Sequence, residues 1–257
     1  MDKERAYTVS TVKKAVALLK LFTNKDREFT LTELSIASGF DKSTTFRLMY
    51  TLNSEGFVDY DEKSKKYSLG IELYHLGQLK YSDIDIRKIA RKHLQSICDQ
   101  HNLASYVGFR RGDYLVMVDQ IFPTIIPFWA QLFALENFRE LYSTGIGRLF
   151  LAQDSDEEID AYFSRIKPKA ITNNTIIDVN ELLALIHRAR IDHYSGNLAE
   201  NEDSIYSLCV PIYNNQKMEA GISLCGPKNI IWGKNFETLL EELQTISRRI
   251  SYEMGYN

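Results

Sequence analysis

No run of about 18 apolar residues occurs in this chain, which excludes a membrane-spanning helix. The opening residues MDKERAYTVST lack a hydrophobic signal core, so the expected location is cytoplasmic. Cysteine is scarce: Cys98, Cys209 and Cys225 are odd in number and far apart, which speaks against a disulfide framework and for free thiols in a reducing compartment. His93, Cys98 and His101 stand at i, i+5 and i+8 among apolar neighbours, a pattern that belongs to a structural helix before a metal site. Catalytic motifs are missing too. There is no G-x-S-x-G elbow, STGIG lacks the third glycine of a dinucleotide fingerprint, and no histidine pairs recognisably with a nucleophile. The expectation is a protein that is not an enzyme and takes no cofactor and no metal.

What is present suits an ordinary globular protein. The 257 residues, 44% of them hydrophobic, favour two compact domains over one. The net charge of −3 hides a small asymmetry. Residues 1–80 hold 13 Lys+Arg against 11 Asp+Glu, a net of +2, and residues 81–257 hold 18 against 23, a net of −5. This permits an anionic partner for the N-terminal part without demonstrating one.

The first 80 residues read as three helices and a hairpin. In VSTVKKAVALLKLFT, Val12, Ala15, Val16, Leu19 and Phe22 fall on one face at helical spacing. After a polar turn at 24–29, TLTE matches a capping box, Thr30 with Glu33, and Gly39 closes that short helix. Asp41 is the N-cap of the next, whose Thr45, Leu48, Met49 and Leu52 form a single buried stripe. Gly56 stops it, and VDYDEKSKKYSLG predicts a hairpin with a charged turn at 61–66. Three helices with a short turn between the last two, followed by a hairpin, make a winged helix-turn-helix whose third helix enters the DNA major groove.

The face opposite the stripe carries Ser43, Arg47 and Tyr50, with Lys42, Thr44 and Phe46 beside it. Ser43, Thr44 and the N–H groups of the first turn suit phosphate. Arg47 can fork onto guanine O6 and N7, and Lys63, Lys65 and Lys66 on the wing would add salt-sensitive phosphate contacts. The blander alternative is that the hydroxyls only cap a helix and Arg47 is a solvated charge.

The segments TVKKAVALLKLF, LTELSIASGFDKSTTFRLMYTLNSEGFV and KYSLG, followed by IARKHLQSICDQHN, LYSTGIGRLFLA, HYSGNLAENEDSIYSLCVPI and GISLCGP, resemble the IclR family of bacterial transcription regulators over nearly the whole chain. That resemblance implies an α+β protein. A winged helix-turn-helix at 1–78 and a linker at 79–83 would precede a GAF-like effector-binding and oligomerisation domain with an antiparallel sheet at 84–257. It also implies a homodimer or homotetramer on double-stranded operator DNA, controlling a catabolic operon, as a repressor before an activator, in response to a small-molecule effector.

Read from its own residues, the second part alternates helices and strands. Helices are expected at 71–79, 83–102 and 236–254, a hairpin turns at Gly112, and apolar strands flank the turn NNQK. The acidic run DSDEEID reads as the solvated start of a helix. Ser143 and Thr144 can cap a helix beginning near Gly145 and leave backbone donors for a small carboxylate. The family's ligand contacts, carried onto this sequence, imply Gly145, Ile146, Asn197, Ser207, Ser223 and Cys225 as effector-binding residues. Donors of these types suit carboxylate or hydroxyl oxygens. Ser207 and Ser223 could instead be small packing residues. Asn197 stands where the family commonly has an acid, and Cys225 where a serine is usual. Phe128, Trp129 and Phe133 could line a pocket for a ring-bearing ligand, or be core or an interface. A rival reading is a sensor that works through protein partners, since residues 41–67 hold five basic and five acidic groups.

Overall fold

The structure is a computed structural model, and it describes residues 8–23, 26–82, 85–131, 138–214 and 217–255. The chain divides into two compact units, Met1–Ile84 and Asp85–Asn257.

The first unit holds α1 (Ser10–Leu19), β1 (Phe29–Thr30), α2 (Leu31–Ser38), α3 (Lys42–Ser54), β2 (Val58–Asp61), β3 (Lys66–Leu69) and α4 (Ile71–Ser82). Local chemistry sets its helix ends. Thr30 Oγ1 accepts the Glu33 N–H at 3.3 Å while the Glu33 carboxylate takes the Thr30 N–H at 2.7 Å, a reciprocal capping box. Gly39 leaves α2 in the left-handed region at φ 71°, a conformation that costs glycine nothing and other residues strain. The three-residue turn then reaches Asp41, which caps α3. The expected stripe is inward: Thr45 and Met49 are fully buried, Leu48 nearly so, and Leu52 packs against the same core. On α1 the buried face is turned from the one expected. Leu18 is buried with Ala15, Leu19 and Phe22 against it, whereas Val12 and Val16 are 59% and 42% exposed. Both stripes satisfy i, i+3, i+4 spacing; burying the larger Leu18 removes more apolar surface from water. The polar turn expected at 24–29 ends in a short strand, and β1 adds to the hairpin in the order β1-β3-β2. The backbone is helical through Ser82, so residues 79–82 of the expected linker belong to α4.

The second unit is built on a six-stranded antiparallel sheet in the order β6-β5-β4-β9-β8-β7. Its elements are α5 (Asp85–His101), β4 (Ala104–Arg111), β5 (Tyr114–Ile121), α6 (Phe128–Gln131) and β6 (Phe138–Glu140), then a 3-10 turn (Leu141–Ser143), α7 (Gly145–Leu151), α8 (Asp156–Arg165) and α9 (Val179–Asp192). β7 (Ser195–Leu198), β8 (Tyr206–Asn214), β9 (Lys217–Gly226), α10 (Lys228–Ile231) and α11 (Phe236–Glu253) complete it. β8 and β9 are buried along nearly their whole length, as central strands covered on both faces must be. Residues of α7, α8 and α9 form one core with Leu115, Cys209 and Met218 of the sheet, which leaves the other face to α5 and α11. His93 and His101 of α5 reach Glu253 and Glu242 of α11 at 2.7 and 2.8 Å, and Cys98 between them is buried. The acidic run does begin a helix: Ser155 and Glu158 form a second capping box for α8.

Candidate functional site

Two surfaces collect the residues singled out in the sequence. On the first unit, the outward face of α3 presents Lys42, Ser43, Arg47 and Tyr50, all exposed, while Thr45, Leu48 and Met49 anchor the opposite face. Thr44 departs from its expected role. The Asp41 carboxylate takes its N–H at 2.8 Å and its hydroxyl at 2.6 Å, so this side chain secures the helix start instead of offering a donor to phosphate. Those bonds, the hydroxyl first, hold the Asp41 carboxyl below its ordinary range. The wing turn is organised by Asp61, which accepts the N–H groups of Lys63 and Ser64 and the Ser64 hydroxyl. Lys63 and Lys65 stand exposed at the tip; Lys66 lies in β3 instead, 3.6 Å from the Glu28 carboxylate.

On the second unit, a half-open cavity of about 90 Å³ is floored by the sheet. The register explains which residues meet there, because alternate residues of a strand share a face and directly paired residues share it across strands. Asn197 of β7 pairs with Ser207 of β8, and Ser207 with Cys225 of β9. One step along, Cys209 pairs with Ser223, and Ser223 with Tyr106 of β4. At the far edge Leu115 of β5 pairs with Arg139 of β6. Thr144, Gly145 and Ile146 cover this floor from the start of α7, and Asn201, Glu202 and Ile205 close it from the β7–β8 loop. All six residues that the resemblance implied, Gly145, Ile146, Asn197, Ser207, Ser223 and Cys225, therefore border one cavity.

Their hydrogen bonds restrict what each can offer. Thr144 Oγ1 accepts the Gly147 N–H at 2.9 Å, and the Ile146 N–H is directed at the Cys209 sulfur, so two first-turn donors of α7 are already engaged. Ser143 does not cap α7; its hydroxyl turns back to the Glu140 carbonyl at 3.0 Å. Asn197 braces the loop: its Nδ2 donates to the Ser143 carbonyl at 2.6 Å and its Oδ1 accepts the Glu200 N–H at 2.9 Å. Ser207 and Ser223 each stand beside a thiol, with Oγ to Sγ distances of 3.6 and 3.5 Å to Cys209 and Cys225. Burial pushes the Cys209 thiol up to about 12 and also raises Cys225, so both are neutral, unreactive groups here.

The cavity also holds groups that sequence reasoning missed. Arg139, with 12% of its side chain exposed, lies 3.3 Å from Glu202. Just behind the wall, Arg148 donates to both carboxylate oxygens of Glu200 and to the carbonyls of Tyr142 and Gly196, at 2.9 and 3.0 Å for those carbonyls. An arginine inside the otherwise apolar GIGRLFLA was the available signal for this pair. Phe128 and Trp129, by contrast, are not among the cavity-lining residues: Phe128 is 76% exposed, and the Trp129 ring packs near Gly226. Phe133 falls outside the described residues.

A winged helix-turn-helix unit followed by an α/β unit with a partly polar cavity defines a two-domain DNA-binding regulator. Residues 11–62 match the model of the IclR helix-turn-helix domain, and residues 78–252 match the bacterial transcriptional regulator IclR C-terminal domain. The chain belongs to the IclR family of transcriptional regulators. It is 31% identical over 248 residues to the HTH-type transcriptional regulator KipR of Bacillus subtilis, covering 96% of this chain and 97% of that one. Among solved structures, an IclR transcriptional regulator from Alicyclobacillus acidocaldarius superposes with a TM-score of 0.82 at 28% identity, over 97% of this chain and 100% of that one. An IclR homologue from Microbacterium hydrocarbonoxydans complexed with 4-hydroxybenzoate shares the fold, with a TM-score of 0.78 at 16% identity over 95% of this chain and 98% of that one.

Proposed function

We propose that this regulator is a cytoplasmic homo-oligomer that represses a catabolic operon and is controlled by a small carboxylic acid bound in the cavity of its second unit. The observation that carries the effector reading is the convergence of the six implied residues on one half-open, partly polar pocket. Its size points to a small ligand: about 90 Å³ is less than the roughly 150 Å³ of a cavity that accommodates benzene. That a homologue of the same fold is complexed with 4-hydroxybenzoate agrees with a small acid as the ligand, and the smaller space here favours one without a ring.

On the DNA side, Arg47 on the exposed face of α3 reads base edges, Lys42, Ser43 and Tyr50 flank it, and Lys63 and Lys65 hold phosphates. A two-fold oligomer then reads half-sites about 34 Å apart or a multiple of that distance. The effector acts only through different affinities for two arrangements of the protein.

The test is selection of bound duplexes from a random pool at about 150 mM salt, followed by release of the selected operator with short carboxylic acids. A near-palindromic motif released by one acid class is the expected result. Failure to enrich any sequence, with or without acids, would transfer the winged helix to a protein-docking role.

A further inference from the structure

The outward face of α3 is not uniformly polar. Ser43, Phe46, Arg47 and Tyr50 stand at i, i+3, i+4 and i+7 and all four are exposed, so Phe46 belongs to that face instead of lying beside it. Phe46 is 49% exposed and Tyr50 66%. Phe22, Phe29 and Phe40 of the same unit pack into or against its core with Leu18 and Met49, and Phe46 does not. Apolar surface left in water contributes nothing to folding, so this ring is placed for something other than the core.

The two exposed rings brace each other. The Phe46 and Tyr50 centroids lie 6.1 Å apart with their planes at 36°, inside the range of about 4.5–7 Å where aromatic pairs attract. With Tyr50 on one side, the Phe46 ring has fewer conformations to lose when it makes a contact. Arg47 stands next to this apolar ridge, and Lys42 and Ser43 lie towards the helix start. A double helix offers such a face phosphate oxygens and hydrogen-bonding base edges, with one apolar exception in the major groove, the C5-methyl group of thymine.

We infer that Phe46 reads thymine, its ring packing on the C5-methyl group of a base close to the guanine that Arg47 contacts. The inference rests on α3 being the helix that enters the major groove. Consecutive helix residues advance about 1.5 Å and turn by about 100°, while stacked bases advance about 3.4 Å, so Phe46 and Arg47 reach bases within about two pairs of each other. Cytosine in place of the thymine would turn its N4 donor towards the ring and leave it unpaired. Each half-site therefore holds a fixed thymine beside a fixed guanine.

The duplex selected from the random pool tests this when it is resynthesised with uracil for thymine at single positions, a change that removes the methyl group and keeps the pairing edge. Binding of the full chain is read by fluorescence anisotropy. One thymine in each half-site is expected to respond, with affinity falling by about fourfold, and by about fifteenfold when both half-sites are changed. Phe46→Ala should bind the thymine and uracil duplexes equally, and Phe46→Leu should keep part of the difference. The ring lies outside the core, so F46A is expected to melt with the wild type, and F46L supplies a second folded variant. An F46A protein that still favours thymine over uracil as the wild type does would overturn the inference. So would a selected duplex that no uracil substitution weakens; loss of affinity in F46A would then place the ring against the sugar-phosphate backbone. Both of those results leave the DNA-binding reading standing, because a duplex was selected. Failure to select any duplex would remove that reading and the inference together.

Discussion

Arg148 and Glu200 face each other almost completely out of water, with 2% and 1% of their side chains exposed, and the guanidinium reaches both carboxylate oxygens. The pair joins the helix that roofs the cavity to the loop that closes it. Breaking one member of such a pair leaves a buried charge unpaired, at a cost of about 3–5 kcal/mol. Arg148→Met and Glu200→Leu should each lower the midpoint of urea unfolding of the second unit accordingly. The double variant should recover only part of the loss, because the Tyr142 and Gly196 carbonyls lose their donor as well. A single variant as stable as wild type would show that the pair contributes nothing net.

The exposed face of α3 makes a prediction about specificity. Arg47→Ala should cost about 1–3 kcal/mol of discrimination at one operator position. Lys63→Ala and Lys65→Ala should instead weaken binding to all sequences and each reduce the salt slope by about 1. Fluorescence anisotropy across a salt series separates these outcomes. An Arg47 variant that lost only salt-dependent, sequence-independent affinity would reassign that residue to the DNA backbone.

Gly145 is held between two strands. A Cβ there would lie 2.6 Å from Cys209 Sγ and 3.2 Å from the Gly196 carbonyl carbon. Overpacking of this kind typically costs about 1–3 kcal/mol, so Gly145→Ala should lower the melting temperature. Adding Cys209→Ala should restore part of it by removing the sulfur, and the backbone contact to Gly196 should retain the rest. Differential scanning calorimetry of the three variants checks the order.

The thiols predict a pH dependence. Burial first, and for Cys98 the nearby Asp99 charge second, push Cys98 and Cys209 up to about 12 from an ordinary 9.0. The folded protein thus keeps protons that the unfolded chain loses above pH 9, and stability falls as pH rises from about 9 towards 12. Tyr106 and Tyr162, also raised chiefly by burial, act in the same direction at higher pH. Cys98→Ala should flatten the decline in urea midpoint between pH 8 and 10 without abolishing it. A thiol reagent at pH 8 should label none of Cys98, Cys209 and Cys225 until the protein unfolds, and rapid labelling of the native state would contradict their burial.

Much of the fold was legible because its signals are local. The Thr30–Glu33 box, Gly39 and the Asp41 cap each lie within four residues of what they control, and the structure contains them as read. The face of α1 was misread because Val12 and Leu18 both fit a helical stripe, and only the packing partner decides between them. β6 and β7 have three and four residues, with no alternation long enough to recognise; pairing with β5 and β8 creates them. The cavity was legible in part for a different reason. Motif resemblance located six of its residues, but Arg139 and Glu202 lie 63 residues apart and meet only through the sheet. Thr44 was read as a donor because hydroxyls in the first turn often are, and the Asp41 carboxylate beside it decided otherwise.

Arg139 and Asn197 come from β6 and β7, the two outermost strands of a six-stranded sheet, yet they border the same cavity. With roughly 20–25° of twist between neighbours, those strands are rotated by on the order of 100° from one another. A molecule that touches both therefore bridges the two rims of a strongly coiled surface and opposes its unwinding. Occupancy of the cavity should register as slowed amide exchange at both rims simultaneously, including at the Val116–Phe138 pair, neither member of which lines that space.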